Sequence, residues 1–318
     1  VLGGGTAGLI SALILKCRFS HLDVKVIKSD KIGIIGVGEG TTEHLNEFCK
    51  FTDINMFDLI KTADATLKYT LKFENWTNED YAQYVSSGLD FTLGRYNASY
   101  AYVIGNNMKI KEFTSPYIYG DQVDLKQVPN QLSFNAIKFN DYLLEHCKNK
   151  NIEVITDDID DVFFNNNGEV SFLKGKKDNY RGDFFIDSSG FKRVIMSKLG
   201  AKWNSYKEYL PVNEAIAFPT PDTDNYDVNI TARRMKYGWM WRTPTYGRWG
   251  NGYVFDNNYI NATQAQQEVE KYLGQKVNIF KNIKFDPGGL DKVWIKNCVA
   301  VGLSASFVEP LEASAIDT

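Results

Sequence analysis

The sequence predicts an α/β fold: a Rossmann-like core with a second β-sheet interleaved along the chain. Three observations predict it. A glycine-rich turn at Gly3–Gly8 separates a strand end from an apolar helix. A second strand follows at the distance expected of a βαβ unit. From Ala201 to Phe285, short alternating stretches rich in Tyr and Trp read as a sheet covering a cavity.

Val1-Leu2 closes the first strand, Leu9 to Lys16 is the helix, and Val24-Lys25-Val26-Ile27 is the second strand. In this context GGGTAG is a dinucleotide-binding turn. Gly3 permits the tight turn, Gly5 lets the backbone approach a pyrophosphate, and Gly8 permits close helix–strand packing. The amides of Thr6 and Ala7 then open the helix toward phosphate oxygens. The acid expected at the end of the second strand, where a ribose hydroxyl is held, is replaced by Lys28; Ser29 or Asp30 can substitute.

A second glycine-rich turn, Gly36 to Thr41, precedes a helical stretch from Glu43 to Ile60. A ligand lying along both turns would meet Gly38, Glu39 and Thr41. Ala136 to Lys148 reads as an amphipathic helix and Ile152 to Thr156 as a strand, with a hairpin turning at Asn165–Gly168. Strand Phe184–Asp187 runs into Ser188-Ser189-Gly190. The apolar stretch Cys298–Gly302 leads into FVEPLEASAI, Phe307 to Ile316. There Glu312 stands among Pro310, Leu311 and Ile316, immediately before small residues whose amides are open to an approaching group.

Composition excludes several classes. Lys+Arg 36 against Asp+Glu 39, with no basic stripe, argues against nucleic acid. Cys17, Cys49, Cys147 and Cys298 lack CxxC spacing and read as reduced thiols of a cytoplasmic protein. His21, His44 and His146 form no metal motif. No membrane span or signal peptide is visible. The 18 Tyr, 20 Phe and 6 Trp suit a large pocket for a flat ligand. The chain opens on Val1 and closes at Thr318 inside what reads as the start of a helix, so it is expected to be part of something longer.

Three further segments carry a specific resemblance. Trp239-Met240-Trp241-Arg242-Thr243-Pro244 resembles the WxWxIP signature of flavin-dependent halogenases, with Thr243 in the place of Ile. Leu67 to Trp76 is similar to their active-site lysine segment, with Lys68 at the matching position and Lys72 second in frame. The run around Glu312 is the third. The Asp-Ser-Ser-Gly turn at 187–190 resembles the second cofactor-contacting turn of flavin monooxygenases.

The resemblance implies a p-hydroxybenzoate hydroxylase-like (GR2) FAD-binding core and one interleaved unit over 1–318. FAD-binding segments fall at about 1–75, 131–200 and 290–318, the substrate-side sheet at about 76–130 and 201–289, and a C-terminal helical part is absent. FAD, used as FADH2, would meet Gly3, Gly5, Thr6, Ala7, Gly8, Ser29, Gly38, Glu39, Thr41, Ser189, Gly190, Leu303 and Ile316. A halide ion would sit on the amides of Ser314 and Ala315. Trp239, Trp241 and Pro244 would lie near the flavin. Lys68 and Glu312 would be catalytic, passing halogen from hypohalous acid to an electron-rich indole- or phenol-like aromatic. A separate NAD(P)H-dependent flavin reductase would supply reduced FAD, and oligomeric state is open, a homo-oligomer included.

Two departures bear on substrate and halide. The His-Pro-Phe element of tryptophan-specific members is not apparent, and Tyr81 to Asp90 reads YAQYVSSGLD. Ala313 stands where Ser is common. An FAD-dependent aromatic hydroxylase and a non-catalytic flavin-binding protein are the alternatives.

Overall fold

The structure, a computed structural model, describes residues 1–34, 36, 39–41, 44–68, 70–84, 131–223 and 229–308. The chain begins with α1 (Thr6–Arg18), β1 (Lys25–Lys28), β2 (Glu39–Gly40), α2 (His44–Thr52) and α3 (Met56–Thr62). Strands β3 (Thr66–Lys68), β4 (Thr70–Glu74), β5 (Tyr81–Tyr84) and β6 (Gln131–Phe134) follow, then helix α4 (Ala136–Asn149). Next come β7 (Glu153–Thr156), the meander β8–β10 (Ile159–Phe164, Val170–Gly175, Asn179–Arg181), β11 (Phe185–Asp187) and α5 (Val194–Lys198). Strands β12 (Trp203–Ser205), β13 (Glu214–Pro221), β14 (Asn229–Arg234), β15 (Gly238–Thr245) and β16 (Arg248–Phe255) lead to α6 (Ala262–Leu273). The last elements are β17 (Lys281–Lys284), β18 (Gly288–Leu290), β19 (Trp294–Ile295), β20 (Cys298–Ala300) and β21 (Ser306–Phe307).

The Rossmann-like core forms around Leu2. β1 pairs in parallel with β7, and β11 with β20. Leu2 bridges the two halves, in parallel with Ile27 on one side and Asp187 on the other. Its amide donates to the Ile186 carbonyl at 2.8 Å, and the Gly3 amide donates to the Ile27 carbonyl at 2.8 Å. Leu2, from the expected first strand, thus occupies the middle of the parallel sheet and aims the glycine turn.

α1 and α4 cover one face. α4 buries Ala136, Phe139, Asn140, Leu143 and Cys147, a stripe with helical period. Asn135 caps it, its side chain accepting from the Ile137 and Lys138 amides. The expected continuous helix from Glu43 to Ile60 is two helices. Asp53 adopts a left-handed φ of 59° and stops α2, and the Asn55 side chain caps α3 by accepting from the Phe57 amide. Asp and Asn adopt that left-handed turn more readily than other residues with a Cβ.

A three-stranded sheet, β2–β6–β3, lies beside this core. Its faces differ sharply. Leu67, Leu132 and Phe134 join the apolar core on one side. Thr66, Lys68, Gln131 and Ser133 point to the other, and all four are buried.

Among the described residues the interleaved sheet has seven strands, ordered β17–β13–β16–β15–β14–β4–β5. One face packs on α6 through Ile216, Met240, Tyr253, Phe255 and Val269. The opposite face carries Leu71, Ala215, Trp239 and Val254. Strand β4, at 70–74, belongs to this sheet, so the expected segment boundary near 75 falls before Thr70. Residues 85–130 of the expected substrate-side segment lie outside the described residues.

Asp187 joins these parts. Its buried carboxylate accepts from the Ser189 amide at 3.0 Å, the Ser189 hydroxyl at 2.6 Å, and the Ile195 and Met196 amides at 2.8 and 2.9 Å. The Ser304 hydroxyl donates to it at 3.3 Å. Hydrogen bonds to a charged group are stronger than neutral ones, and deletion leaves several buried donors unsatisfied. Asp187→Ala is therefore expected to lower the unfolding free energy by about 3 kcal/mol or more in urea denaturation. A loss below about 1 kcal/mol would contradict this reading of the junction.

Candidate active site

A cavity of about 970 Å³ runs from the glycine turn to the seven-stranded sheet. At the glycine turn, Gly3 has a φ of 122°, and a Cβ there would collide with the Ser188 carbonyl. Ser188 clips the turn, donating to the Leu2 carbonyl at 2.9 Å and the Gly3 carbonyl at 3.1 Å. Asn140 of α4 donates to the Gly4 carbonyl at 3.1 Å. Helix α1 has no side-chain cap and no acidic residue in its first turn, and space beside Gly5 is open. This end is therefore built to take an anion on helix amides, as a pyrophosphate requires.

Gly3, Gly5, Thr6, Ala7, Gly8, Ser29, Ser189, Gly190 and Leu303 all line the cavity. Gly302, with φ 57°, packs so close to α1 that a Cβ would lie 2.7 Å from the Ala7 Cβ. Glu39 falls in β2, and Thr41, just after it, is not among the described residues lining the cavity. Gly38, Glu312, Ser314, Ala315 and Ile316 lie outside the described residues.

The cavity end beside β1 is organised by a residue that sequence reasoning missed. Lys28 pairs with Asp30, while the Ser29 hydroxyl donates to Asp158 at 2.6 Å. Asp158, just past β7, also pairs with Lys31 and lies 3.6 Å from the Lys176 ammonium. The Lys31 hydrogen bond and the Ser29 hydroxyl hold its carboxyl down to about 2. Asp158 thus places a carboxylate just past β7, beside the end of β1 with which β7 pairs, and it lines the cavity.

At the other end the cavity is aromatic and apolar. Trp239 and Trp241 share one face of β15, their rings 6.0 Å apart, and both line it. Trp241 lies directly over Gly252 of β16, where a Cβ would run into its indole ring. Pro244 sits farther along β15, and its carbonyl accepts from the Thr66 hydroxyl at 2.8 Å. That bond ties the WxW strand to the strand carrying Lys68.

Lys68 is 2% exposed. Its side chain crosses the polar face of the small sheet from β3 to β2, and its ammonium donates to the Thr41 carbonyl at 3.0 Å. A Cβ on Gly40 would stand 3.2 Å from that ammonium. Burying an ammonium is costly and persists only where polar partners are supplied. Lys72 is different: it lies on β4, 41% exposed, paired with Glu74 at 2.8 Å. Lys68 is not among the described residues lining the large cavity.

Three buried cysteines, Cys49, Cys147 and Cys298, have thiols pushed up to about 12 by burial and are unsuited to nucleophilic work. Among the described residues no group of three or more His, Cys, Asp or Glu could hold a metal ion. No described helix is long and apolar enough to cross a membrane.

This combination defines an α/β protein with a Rossmann-like FAD-binding core and a buried lysine beside its interleaved sheet. The chain belongs to the tryptophan halogenase family, whose model matches residues 1–318. It is 28% identical over 361 residues to the 7-chloro-L-tryptophan 6-halogenase KtzR of Kutzneria sp. (strain 744), covering 99% of this chain and 69% of the relative. The crystal structure of the tryptophan 6-halogenase SttH from Streptomyces toxytricini superposes with a TM-score of 0.86 at 26% identity, covering 99% of this chain and 69% of that one. Xcc4156, a flavin-dependent halogenase from Xanthomonas campestris, gives a TM-score of 0.85 at 26% identity, covering 99% and 67%. The chain thus spans about two thirds of the length of these relatives.

The Trp241–Gly252 contact yields a direct check. Gly252→Ala overpacks the sheet where the indole lies, with an expected cost of about 1–3 kcal/mol in urea denaturation and a changed near-ultraviolet circular dichroism spectrum. An unaltered spectrum and midpoint would show that the ring is not seated there.

Proposed function

We propose that this chain is a flavin-dependent halogenase that transfers electrophilic halogen to an electron-rich aromatic, indole- or phenol-like, through Lys68. The observation that carries the proposal is the buried Lys68 ammonium, held on a polar sheet face next to a cavity shaped for a dinucleotide. The named activities of KtzR and SttH on tryptophan compounds support a flat aromatic substrate.

Bound as FADH2, the flavin would activate oxygen for attack by chloride, bromide or iodide, giving hypohalous acid. Gly3–Gly8, Ser29, Ser189, Gly190 and Leu303 would hold it, with its flat ring toward Trp239 and Trp241. The residues of this chain then have distinct tasks. The apolar wall of Trp239, Trp241, Val254 and Phe285 excludes water from the oxidant's surroundings. Lys68 receives hypohalous acid and polarises its oxygen–halogen bond through the ammonium, or carries the halogen as a haloamine from its free amine. The aromatic carbon takes the halogen with both bonding electrons supplied by the ring. The oxygen leaves as water, and the ring proton is lost to a base. Glu312 is assigned as that base or as the group orienting the reagent, and the amides of Ser314 and Ala315 as the halide site. A separate NAD(P)H-dependent flavin reductase would supply the reduced cofactor.

Lys68→Ala should cut halogenated product by about 10²–10⁴-fold while FAD binding and release of peroxide persist. The test supplies reduced FAD, oxygen and bromide with a panel of indoles and phenols, and follows the bromine isotope pattern by mass spectrometry. Regioselective halogenation by the variant would remove Lys68 from the mechanism. Glu312→Gln should lose most of the rate with FAD affinity intact, and unchanged turnover would exclude it.

A further inference from the structure

Two hydroxyls near Lys68 have no hydrogen-bond partner among the described residues although both are fully buried: Ser133 Oγ and Thr243 Oγ1. Such groups are rare in folded proteins, because each has given up water without replacing it. Their placement is related. Ser133 stands opposite both Gly40 and Thr66 in the three-stranded sheet, so the three positions form one row on the face that Lys68 crosses. Lys68 Nζ lies 3.2 Å from where a Gly40 Cβ would be. The Ser133 Cβ, directly across the strand pair, is roughly 5 Å from the same point.

Thr243 reaches this place from the seven-stranded sheet by two routes. Its neighbour Pro244 takes the hydrogen bond of Thr66, the residue opposite Ser133. Ile230, whose Cδ1 a Gly40 Cβ would strike, lies one residue past the Thr231–Arg242 pair on β14, as Thr243 does on β15. Strand alternation puts the Thr243 side chain on the face of Trp239 and Trp241. Strand register thus brings the Ser133 and Thr243 positions toward Gly40, where any side chain would meet Ile230 and the Lys68 ammonium.

We propose that Ser133, Thr243 and Lys68 form a buried polar site that binds the oxygen of one small molecule: water at rest, and hypohalous acid in turnover. The inference rests on the halogenase reading above for its second occupant only. Each hydroxyl can donate to or accept from that molecule, and the ammonium can donate to its oxygen. The site would hold the reagent at Lys68 and retard its escape. Thr243 is informative because it stands where the related signature has Ile: an apolar residue would fill the same space without the unpaired hydroxyl.

The test compares the parent with Ser133→Ala and with Thr243→Val, which keeps the shape and removes the hydroxyl. High-resolution crystal structures should show an ordered solvent molecule at Gly40 bonded to both hydroxyls in the parent and lost or displaced in each variant. In turnover with bromide, reduced FAD and indole, both variants should bind FAD as the parent does. Bromoindole per FADH2 consumed should fall several-fold, with a matching rise in oxidant trapped by a dimedone scavenger in bulk solution. No ordered molecule in the parent, or variants with raised melting temperature and unchanged partition, would overturn the proposal. A parent that yields no oxidant at all would refute the halogenase reading, and the crystallographic comparison would still decide the site.

Discussion

The Asp187 carboxylate is the interaction on which the binding architecture depends. It sits at the end of β11, bridged to Leu2, and draws together the turn after β11, the start of α5 and the hydroxyl of Ser304. Those are also the walls of the cavity: Ser188 clips the glycine turn, Ser189 and Gly190 line it, and the 302–304 turn presses on α1. A charge in this position is held by five donors, four from the turn and helix that directly follow it and one from Ser304 far along the chain. The segments can therefore keep one geometry without a thick apolar core between them, and a long ligand can lie where that core would be.

The cavity and the lysine occupy different structural compartments. Glycines, helix amides and paired tryptophans belong to the parallel sheet and the cavity face of the antiparallel sheet. Lys68 belongs to a third, small sheet, and its ammonium faces Thr41 and Gly40. Thr66 joins the two by its bond to Pro244. Such an arrangement suits chemistry in which a reactive oxidant is made in one place and used in another. In the proposed function water must be kept from the oxidant, and Thr66, Lys68, Ser133 and Thr243 are all buried.

Much of this was legible in the sequence because local backbone demands leave local signatures. The spacing of Gly3, Gly5 and Gly8 between strand and helix encoded the βαβ unit, and the Asn165–Gly168 turn encoded its hairpin. The break at Asp53 was also written in the chain as Asp53 and Asn55, but the apolar period on either side obscured it. Asn140 and Asp158 were not legible. Each acts across more than 125 residues of chain, on Gly4 and Ser29 respectively, and long-range pairing leaves no local pattern. The one available signal for Asn140 was a polar residue inside the buried stripe of α4. The burial of Lys68 was likewise hidden, because an alternating strand does not say which of its faces is covered. Gly38 and the Glu312 segment lie outside the described residues, and their roles rest on resemblance.

In the proposed function, flavin chemistry belongs to the cavity and halogen transfer to the small sheet. A crystal structure of the protein with FAD bound decides between this division and a shared site. Pyrophosphate is expected at the amides of Gly5 to Ala7, the isoalloxazine against the Trp239 and Trp241 face, and Lys68 retained on the Thr41 carbonyl without touching the ring. An isoalloxazine in contact with the Lys68 ammonium, or a pyrophosphate bound away from the glycine turn, would contradict it.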